Sequence, residues 1–296
     1  MKLIRIASRK SELALWQANW VKSELEKLTY KTELVLIETQ GDKNYQPFAS
    51  LQGQGFFTKA IQDAVLTNQA DIAVHSFKDL PSLQTPGLEL AAITKRADPR
   101  DVLLIRPEYF KKTNNFHIKE NALLGTSAAR RKMQIRTLRP DLEIKELRGN
   151  VPSRIKKLQT GQYDAIVLAA AGIERISPNT DNLILQYLPP QLMVPAPAQG
   201  ALALEIRRDD IELSAIVNNL NHIPSQKAIS AERGLMAMLQ GGCQLALGAH
   251  AFSSANGLKM LAWYNGLLVE KEEANIEYLA NLVYDALGRP DPESVG

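Results

Sequence analysis

The chain has 296 residues, 45% hydrophobic and 23% charged, which is enough for two or three domains with buried cores. Its net charge of +3 is a small excess for this length and disfavours a nucleic-acid-binding protein. One cysteine excludes intrachain disulfides, and four scattered histidines offer no metal-ligand spacing, so no metal site is predicted. The chain lacks a membrane-spanning apolar run, and its N-terminus lacks the apolar core of a signal peptide, so we expect a cytoplasmic protein without a membrane partner.

The first third of the chain predicts alternating strands and helices. Residues 3–8 predict a strand, Ser11 an N-cap for an amphipathic helix, and residues 34–39 a second strand. Residues 40–55 form a polar, glycine-bearing loop, which we expect to be mobile and to cover a cleft. A further helix leads to the apolar run at residues 72–74, which predicts a buried strand. This alternation predicts a mainly parallel sheet.

The middle of the chain predicts a second unit of the same kind. The polar residues 107–120 indicate a domain crossing, and strands and helices alternate again over residues 122–170. GQYDAIVLAA in this unit echoes NQADIAVHS in the first, which suggests two similar halves facing a cleft. Four prolines within residues 189–200 predict a linker, after which residues 201–207 return as a strand to the first domain. From residue 224, a helix, three antiparallel strands and a last helix predict a small α+β domain.

The stretch DIAVHSFKDLP, residues 71–81, carries the first candidate site. Its strand turns directly into Ser76, Lys78 and Asp79. Ligands of open α/β sheets bind beyond the carboxyl ends of the strands, so Asp79 is the leading candidate for a catalytic carboxylate. A solvated surface pair of Asp79 with Lys78 is the alternative interpretation.

Arginines and hydroxyls follow other strands and predict an anion site. GTSAARR and LRGNVPSR place them at strand ends and in first helical turns, where backbone N–H groups also favour anions. Phosphate and carboxylate fit equally well here, but the chain has neither GxxxxGK[ST] nor GxGxxG, which disfavours nucleotides. Arginine suits bidentate carboxylate recognition, so a substrate with several carboxylates is expected, although each arginine alone is also typical of a surface residue. The arginines concerned are Arg9, Arg130, Arg131, Arg148, Arg154 and Arg175.

With these motifs in view, the chain resembles the hydroxymethylbilane synthase family, also called porphobilinogen deaminase, along nearly its full length. The motifs that carry the resemblance occur in the family's order: RIASRKSELALWQA, ADIAVHSFKDLP, DPRD, GTSAARR, LRGNVPSR, YDAIVLAAAGIER, PAPAQGALALE and AERGLMAMLQGGCQ. The resemblance implies an α/β fold with two periplasmic-binding-protein-like lobes around a cleft and a small α+β C-terminal domain. The boundaries we expect are residues 1–97 with 198–218, residues 98–197, and residues 219–296.

The resemblance also implies an activity and a cofactor. Four porphobilinogen units are joined head to tail onto a dipyrromethane cofactor with loss of ammonia, and hydrolysis releases hydroxymethylbilane. The family attaches this cofactor by a thioether to the cysteine of GGC, here Cys243, although the spacing of this cysteine alone is more typical of a small buried residue. Asp79 is implied as the catalytic carboxylate. The arginines above bind acetate and propionate groups, and the implied supporting contacts are Ser11, Gln17, Ser76, Lys78, Thr126, Ser127 and Gln199.

The chain departs from the family pattern in a few places. Gln54 replaces the usual loop lysine, and Ala128 replaces a serine. Because a charge-assisted contact is worth roughly 1.5 to 3 kcal/mol, Gln54 is expected to weaken substrate binding unless Lys59 compensates. Two alternatives to the active enzyme remain. Two α/β lobes around an arginine-lined cleft would also describe a receptor for small anions, and the replacement at Gln54 would also fit a divergent paralogue with poor turnover. We expect a monomer that binds no nucleic acid.

Overall fold

The computed structural model describes residues 3–38, 58–113, 115–240 and 245–289. Strands and helices alternate through most of this range, as the sequence predicts. In chain order the elements are β1 (Ile4–Ser8), α1 (Glu12–Lys27), β2 (Thr32–Leu36), α2 (Lys59–Leu66), β3 (Ile72–Ser76), β4 (Leu88–Ile93), β5 (Asp101–Ile105), β6 (Leu123–Gly125), α3 (Ala129–Leu138), β7 (Glu143–Lys145), α4 (Val151–Gln159), β8 (Ala165–Ala169), α5 (Ala170–Ile176), β9 (Ile184–Leu188), β10 (Leu202–Arg207), α6 (Ile211–Val217), α7 (Ile223–Met238), β11 (Gly248–Ser254), β12 (Gly257–Tyr264), β13 (Leu267–Glu273) and α8 (Ile276–Ala286).

The first compact unit comprises Met1–Arg96 and Ala201–Gln226. Its five-stranded sheet has the order β2-β1-β3-β10-β4. Strands β1, β2 and β3 pair in parallel, whereas β10 runs antiparallel between β3 and β4. The mainly parallel sheet and the return of residues 201–207 to this unit are therefore confirmed. Strand β2 begins two residues earlier than predicted because Thr32 already pairs with Ile4.

Both faces of this first sheet are covered. Ile6, Ile72 and Val74 pack on the side of α1 and α6, while Ala7 and Ala73 pack on the side of α2. Alternate residues of one strand thus enter two different cores. This double burial explains why the strands are apolar along their whole length.

The second compact unit comprises Ala97–Gly200 and Lys227–Gly296. Its five-stranded sheet has the order β7-β6-β8-β5-β9. Strands β6, β7 and β8 are parallel, and β5 runs antiparallel between β8 and β9. This repeats the arrangement of the first sheet, in which β10 is the reversed strand. The predicted similarity of the two halves is thereby confirmed at the level of strand order and direction.

The cores of this second sheet follow the same alternation. Leu103 and Ile105 pack with α3, whereas Val102 and Leu104 pack with α4 and α5. Helix α4 begins at a turn closed by Asn150, whose Oδ1 accepts a hydrogen bond of 2.9 Å from the Ser153 N–H.

The same unit holds a three-stranded antiparallel sheet, β11-β12-β13. Helices α7 and α8 cover one face of it through Leu235, Leu279 and Val283, which are fully buried. These elements confirm the α+β character predicted for the C-terminal residues.

The observed elements confirm the α/β fold class. The division into three domains stays a prediction, and the loop of residues 40–55 lies outside the described residues. Among the helices of the described ranges, none has the length and apolar character that crossing a membrane requires.

Candidate active site

Asp79 lies on a short 3-10 turn, Phe77–Asp79, that directly follows β3. Phe77 anchors this turn: its side chain is buried, and its N–H donates to the Ala201 carbonyl at 3.0 Å. Asp79 is exposed and Lys78 is half-buried. The turn therefore fixes the backbone of Asp79 while leaving the carboxylate accessible to a ligand.

Three further predicted residues surround this end of β3. Arg9 follows β1, which pairs in parallel with β3, so both strands end at the same edge of the sheet. Gln17 is buried on α1, and its Nε2 donates to Ser76 Oγ at 2.8 Å. Ser11 accepts from the Ala14 N–H at 3.4 Å and caps α1. Gln17, Ser76 and Ser11 thus position the edge that carries Arg9 and Asp79.

A buried polar cluster joins β3, β10 and α2, and it was not anticipated from the sequence. Glu205 on β10 lies 3.0 Å from His75 Nε2 and accepts a hydrogen bond of 2.8 Å from Gln62 Nε2. All three side chains are buried. They join α2 to the strand that leads into the Asp79 turn. A glutamate within an otherwise apolar strand is the sequence signal that indicates such a cluster.

Thr126 and Ser127, at the end of β6, hold neighbouring strand ends together. Ser127 Oγ donates to the Leu147 carbonyl at 2.8 Å and accepts from the Leu147 N–H at 3.0 Å. The Thr126 N–H donates to the Lys145 carbonyl at 2.9 Å, and its Oγ1 accepts from the Ala128 N–H at 3.4 Å. Both hydroxyls therefore shape the loop that precedes α3.

Arg130 and Arg131, in the first turn of α3, are buried against Asp101 at the start of β5. Arg130 Nη1 lies 2.7 Å from Asp101 Oδ2, and Arg131 Nη2 lies 2.8 Å from Oδ1. Gln199 Nε2 donates to the same Oδ1 at 2.9 Å. Burial raises the pKa of Asp101, but the charges of Arg130 and Arg131 outweigh it and hold that pKa well below its ordinary value. Asp101 is therefore an ionised carboxylate within a cationic cluster.

Arg148, Arg154 and Arg175 are half-buried and lie near backbone carbonyls or acids. Arg148 Nη2 is 3.5 Å from Glu146 Oε2, and Arg154 Nε donates to the Gly149 carbonyl at 2.7 Å. Arg175 Nη2 donates to the Gly200 carbonyl at 2.7 Å, and burial lowers the pKa of Arg175 to about 10. At that value the guanidinium still carries its charge near neutral pH.

In the first unit Gln17 contacts Ser76 at the end of β3, and in the second unit Arg130, Arg131 and Gln199 meet at Asp101. Arg148, Arg154 and Arg175 make the separate contacts given above. Cys243 and Gln54 lie outside the described residues. Asp101 is the main residue that sequence reasoning missed, although it lies in the quoted DPRD motif. The cationic donors fit a ligand that carries several carboxylates, which is the character of a dipyrromethane with acetate and propionate groups. Within the described part of the chain, no group of histidine, aspartate and glutamate side chains is arranged to hold a metal ion.

The family model and the curated relatives that match this chain name one family. Residues 4–215 match a family model described as porphobilinogen deaminase, dipyromethane cofactor binding domain. The porphobilinogen deaminase of Geobacter sulfurreducens is 44% identical over 260 residues, which cover 87% of this chain and 80% of that protein. That of Brevibacillus brevis is 42% identical over 255 residues, covering 85% and 81%.

Similar solved structures include two binding domains. An ancestral cationic amino acid solute binding protein has a TM-score of 0.45 and 15% identity, covering 74% of this chain and 87% of the other. The VFT2 domain of Bordetella pertussis BvgS, as a double mutant, has a TM-score of 0.44 and 15% identity, covering 74% and 86%.

Proposed function

This chain belongs to the porphobilinogen deaminase family, and we propose that it acts as a hydroxymethylbilane synthase. It joins four porphobilinogen molecules head to tail with loss of ammonia and releases the linear tetrapyrrole by hydrolysis. The observation that carries this proposal is the family match over residues 4–215, which includes the anchored Asp79 turn. The protein is thus a transferase of porphyrin biosynthesis.

Asp79 is the catalytic residue of the proposal. Loss of ammonia from the aminomethyl group of porphobilinogen leaves a cation delocalised over the pyrrole. A carboxylate held near the pyrrole N–H stabilises this charge, and a fixed backbone avoids reorganisation during the reaction. The buried Phe77 supports this role because it anchors the turn that carries Asp79. The same carboxylate is positioned to move protons as the amine leaves and as the new bond forms.

The cationic side chains bind the acetate and propionate groups. Arg9 binds these groups in the first unit, at the sheet edge that carries Asp79. In the second unit they are bound by Arg148, Arg154 and Arg175 and by the buried pair Arg130 and Arg131. Arginine forms paired hydrogen bonds with carboxylates, so each contact orients a pyrrole as well as binding it. Lys78 adds a further charge at the end of β3. Ser11, Gln17, Ser76, Thr126, Ser127 and Gln199 hold these strand ends in place.

The family model is that of a dipyrromethane cofactor binding domain, and this cofactor, when bound, would supply the primer from which the chain is extended. In the proposal Cys243 holds it through a thioether, and the arginines hold its carboxylates. We also propose that the protein is a cytoplasmic monomer, since its single cysteine is consistent with a reducing compartment.

The first experiment is intact mass spectrometry of the purified protein before and after addition of porphobilinogen. We expect extra mass equal to two linked pyrroles and then a ladder of pyrrole additions. The Cys243→Ser variant should lack both. Wild-type protein that acquires neither after incubation with porphobilinogen would refute the proposal and favour an anion receptor instead.

The second experiment tests Asp79 with the Asp79→Asn variant. We expect this variant to fold and to carry the cofactor mass but to lose a factor of roughly 100 or more in kcat, the range expected for loss of an electrostatic or proton-transfer group. Ser82→Ala, in the segment after the turn, is the control and should keep wild-type turnover. Normal turnover of Asp79→Asn would remove Asp79 from the mechanism.

A further inference from the structure

Asp101 is a fully buried carboxylate that binds Arg130 and Arg131, both assigned above to the substrate, and Gln199. Arg131 contacts protein groups through all three of its guanidinium nitrogens: Nε and Nη2 contact Asp101 Oδ1 at 3.2 and 2.8 Å, and Nη1 donates to the Val167 carbonyl at 2.8 Å. Gln199 Nε2 contacts the same Oδ1 at 2.9 Å and the Pro99 carbonyl at 2.7 Å. Arg131 and Gln199 are therefore occupied within the second unit.

Arg130 differs from Arg131 in one respect. Its Nη1 contacts Asp101 Oδ2 at 2.7 Å and donates to the Val194 carbonyl at 2.8 Å. Within the described ranges, Nη1 makes all the hydrogen bonds of Arg130, so Nε and Nη2 keep their donors for a ligand. Gln134, one turn further along α3, fixes this helix by exchanging two hydrogen bonds with the Val194 backbone, at 3.0 and 2.8 Å.

The charges of Arg130, Arg131 and Asp101 also leave one guanidinium able to bind an anion. Two guanidinium groups share one carboxylate, so one positive charge is left over. Arg131 makes its contacts through three nitrogens and Arg130 through Nη1 alone, so Nε and Nη2 of Arg130 are the nitrogens of this pair that remain to bind an anion. A pyrrole carboxylate would complete the coordination of this guanidinium as a bidentate partner.

We infer that Asp101 is a positioning residue that fixes Arg130 for binding a pyrrole carboxylate, and that Arg131 and Gln199 act through Asp101 without touching the substrate. This inference rests on the proposed function. It changes the role of Arg131 within the arginine set, since Arg130 alone of this buried pair remains a direct ligand. Without Asp101 the two buried guanidinium groups repel each other, and Arg130 loses the anchor that orients Nε and Nη2.

The experiment compares Arg130→Gln with Arg131→Gln, measuring cofactor occupancy by intact mass and KM and kcat on the fraction that carries the cofactor. We expect Arg130→Gln to raise KM for porphobilinogen by about tenfold or more, the loss of one charge-assisted contact. Arg131→Gln should change KM severalfold less. A purely structural role would lower the folded fraction of both variants and leave their KM equal.

Asp101→Asn supplies the second comparison, with Asp98→Asn as the matched control. Asp98 lies in the same turn but pairs with Arg100, at 2.6 Å, and not with the α3 arginines. We expect Asp101→Asn to lower cofactor occupancy and raise KM, and Asp98→Asn to leave both within about twofold. The double variant Asp101→Asn with Arg131→Gln restores the net charge of the cluster and should recover part of the lost affinity.

Three results would overturn the inference: equal KM effects of the two arginine variants, an unchanged KM in folded Asp101→Asn, or a double variant no better than Asp101→Asn. The arginine comparison decides the matter if Asp101→Asn does not fold. Failure of the proposed function is distinguishable, because wild-type protein would then show no cofactor mass and no pyrrole ladder.

Discussion

Replacing Asp71 by asparagine is expected to destabilise the first unit without affecting turnover. Asp71 precedes β3, at the end of the strand opposite Asp79, and its side chain is only 2% exposed. Arg5 donates to it from the backbone N–H, Nε and Nη2 at 2.9, 3.0 and 2.9 Å, and Arg207 Nη2 adds a bond of 3.0 Å. The carboxylate therefore joins β1, β3 and β10.

The size of the effect follows from the pKa. Burial raises the pKa of Asp71, but the hydrogen bonds from Arg5 and Arg207 outweigh it and lower the pKa from 3.8 to about 2. A lowering of this size corresponds to about 2 kcal/mol of stability at neutral pH. In the Asp71→Asn variant Arg5 and Arg207 both lose their ion pair with Asp71, which adds a further cost, so we expect a total loss of about 2 to 4 kcal/mol. Because Arg5 is partly exposed, its ion pair with Asp71 is screened by water, which favours the lower end of this range of lost stability.

Urea unfolding of wild type and Asp71→Asn at several pH values measures this loss. Because the folded-state pKa is depressed, the stabilisation is complete above the unfolded-state pKa of about 4 and is lost as pH falls towards 2. The difference between the two proteins should therefore shrink by about 1 kcal/mol between pH 7 and pH 3. Asp285→Asn, whose partner Arg289 is exposed, should show little change at either pH. A difference that is independent of pH, or no destabilisation at pH 7, would refute the reasoning.

The linker after β9 provides two further tests by urea unfolding. Gly200 has φ +95°, and an added Cβ would lie 2.6 Å from the Ala97 carbonyl oxygen, so Gly200→Ala should cost about 1 to 3 kcal/mol. Ala198→Gly, at φ +61°, should be neutral or stabilising, and a Gly200→Ala protein as stable as wild type would contradict the strain. Glu232 is fully buried and accepts from the Ala198 and Ala251 N–H groups, both at 2.7 Å. Glu232→Ala leaves two buried donors without these bonds and should cost about 2 to 6 kcal/mol, whereas a loss below about 1 kcal/mol would show that other groups replace them.

Much of the candidate site was predictable because its residues follow strand ends. Asp79, Arg9 and Ser76 lie at one sheet edge, as expected from the order of apolar runs and polar turns. The N-cap role of Ser11 also follows from its position before an amphipathic helix. Local pattern suffices in these cases, since a parallel strand carries its polar turn to the same edge as its neighbours.

The partners of the buried charges were not predictable in the same way. Asp101 binds Arg130 and Arg131 across about 30 positions of sequence and Gln199 across nearly 100. Periodicity indicates which face of an element is buried, but it carries no information about which charged side chain will meet another there. The sequence interpretation therefore treated both arginines as ligands of the substrate.

The amino-acid sequence by itself predicted the alternation of strands and helices through local periodicity and turn residues. Its ordered motifs carry the resemblance that implied the family, the reaction and the candidate catalytic carboxylate, and each motif is contained in a short stretch of chain. Only the tertiary structure decided that β5 and β10 run antiparallel within their sheets, and that Asp101 and Glu205 are buried among polar partners. The physical reason is that strand pairing and charge compensation depend on distances between residues far apart in the chain, and folding alone sets those distances.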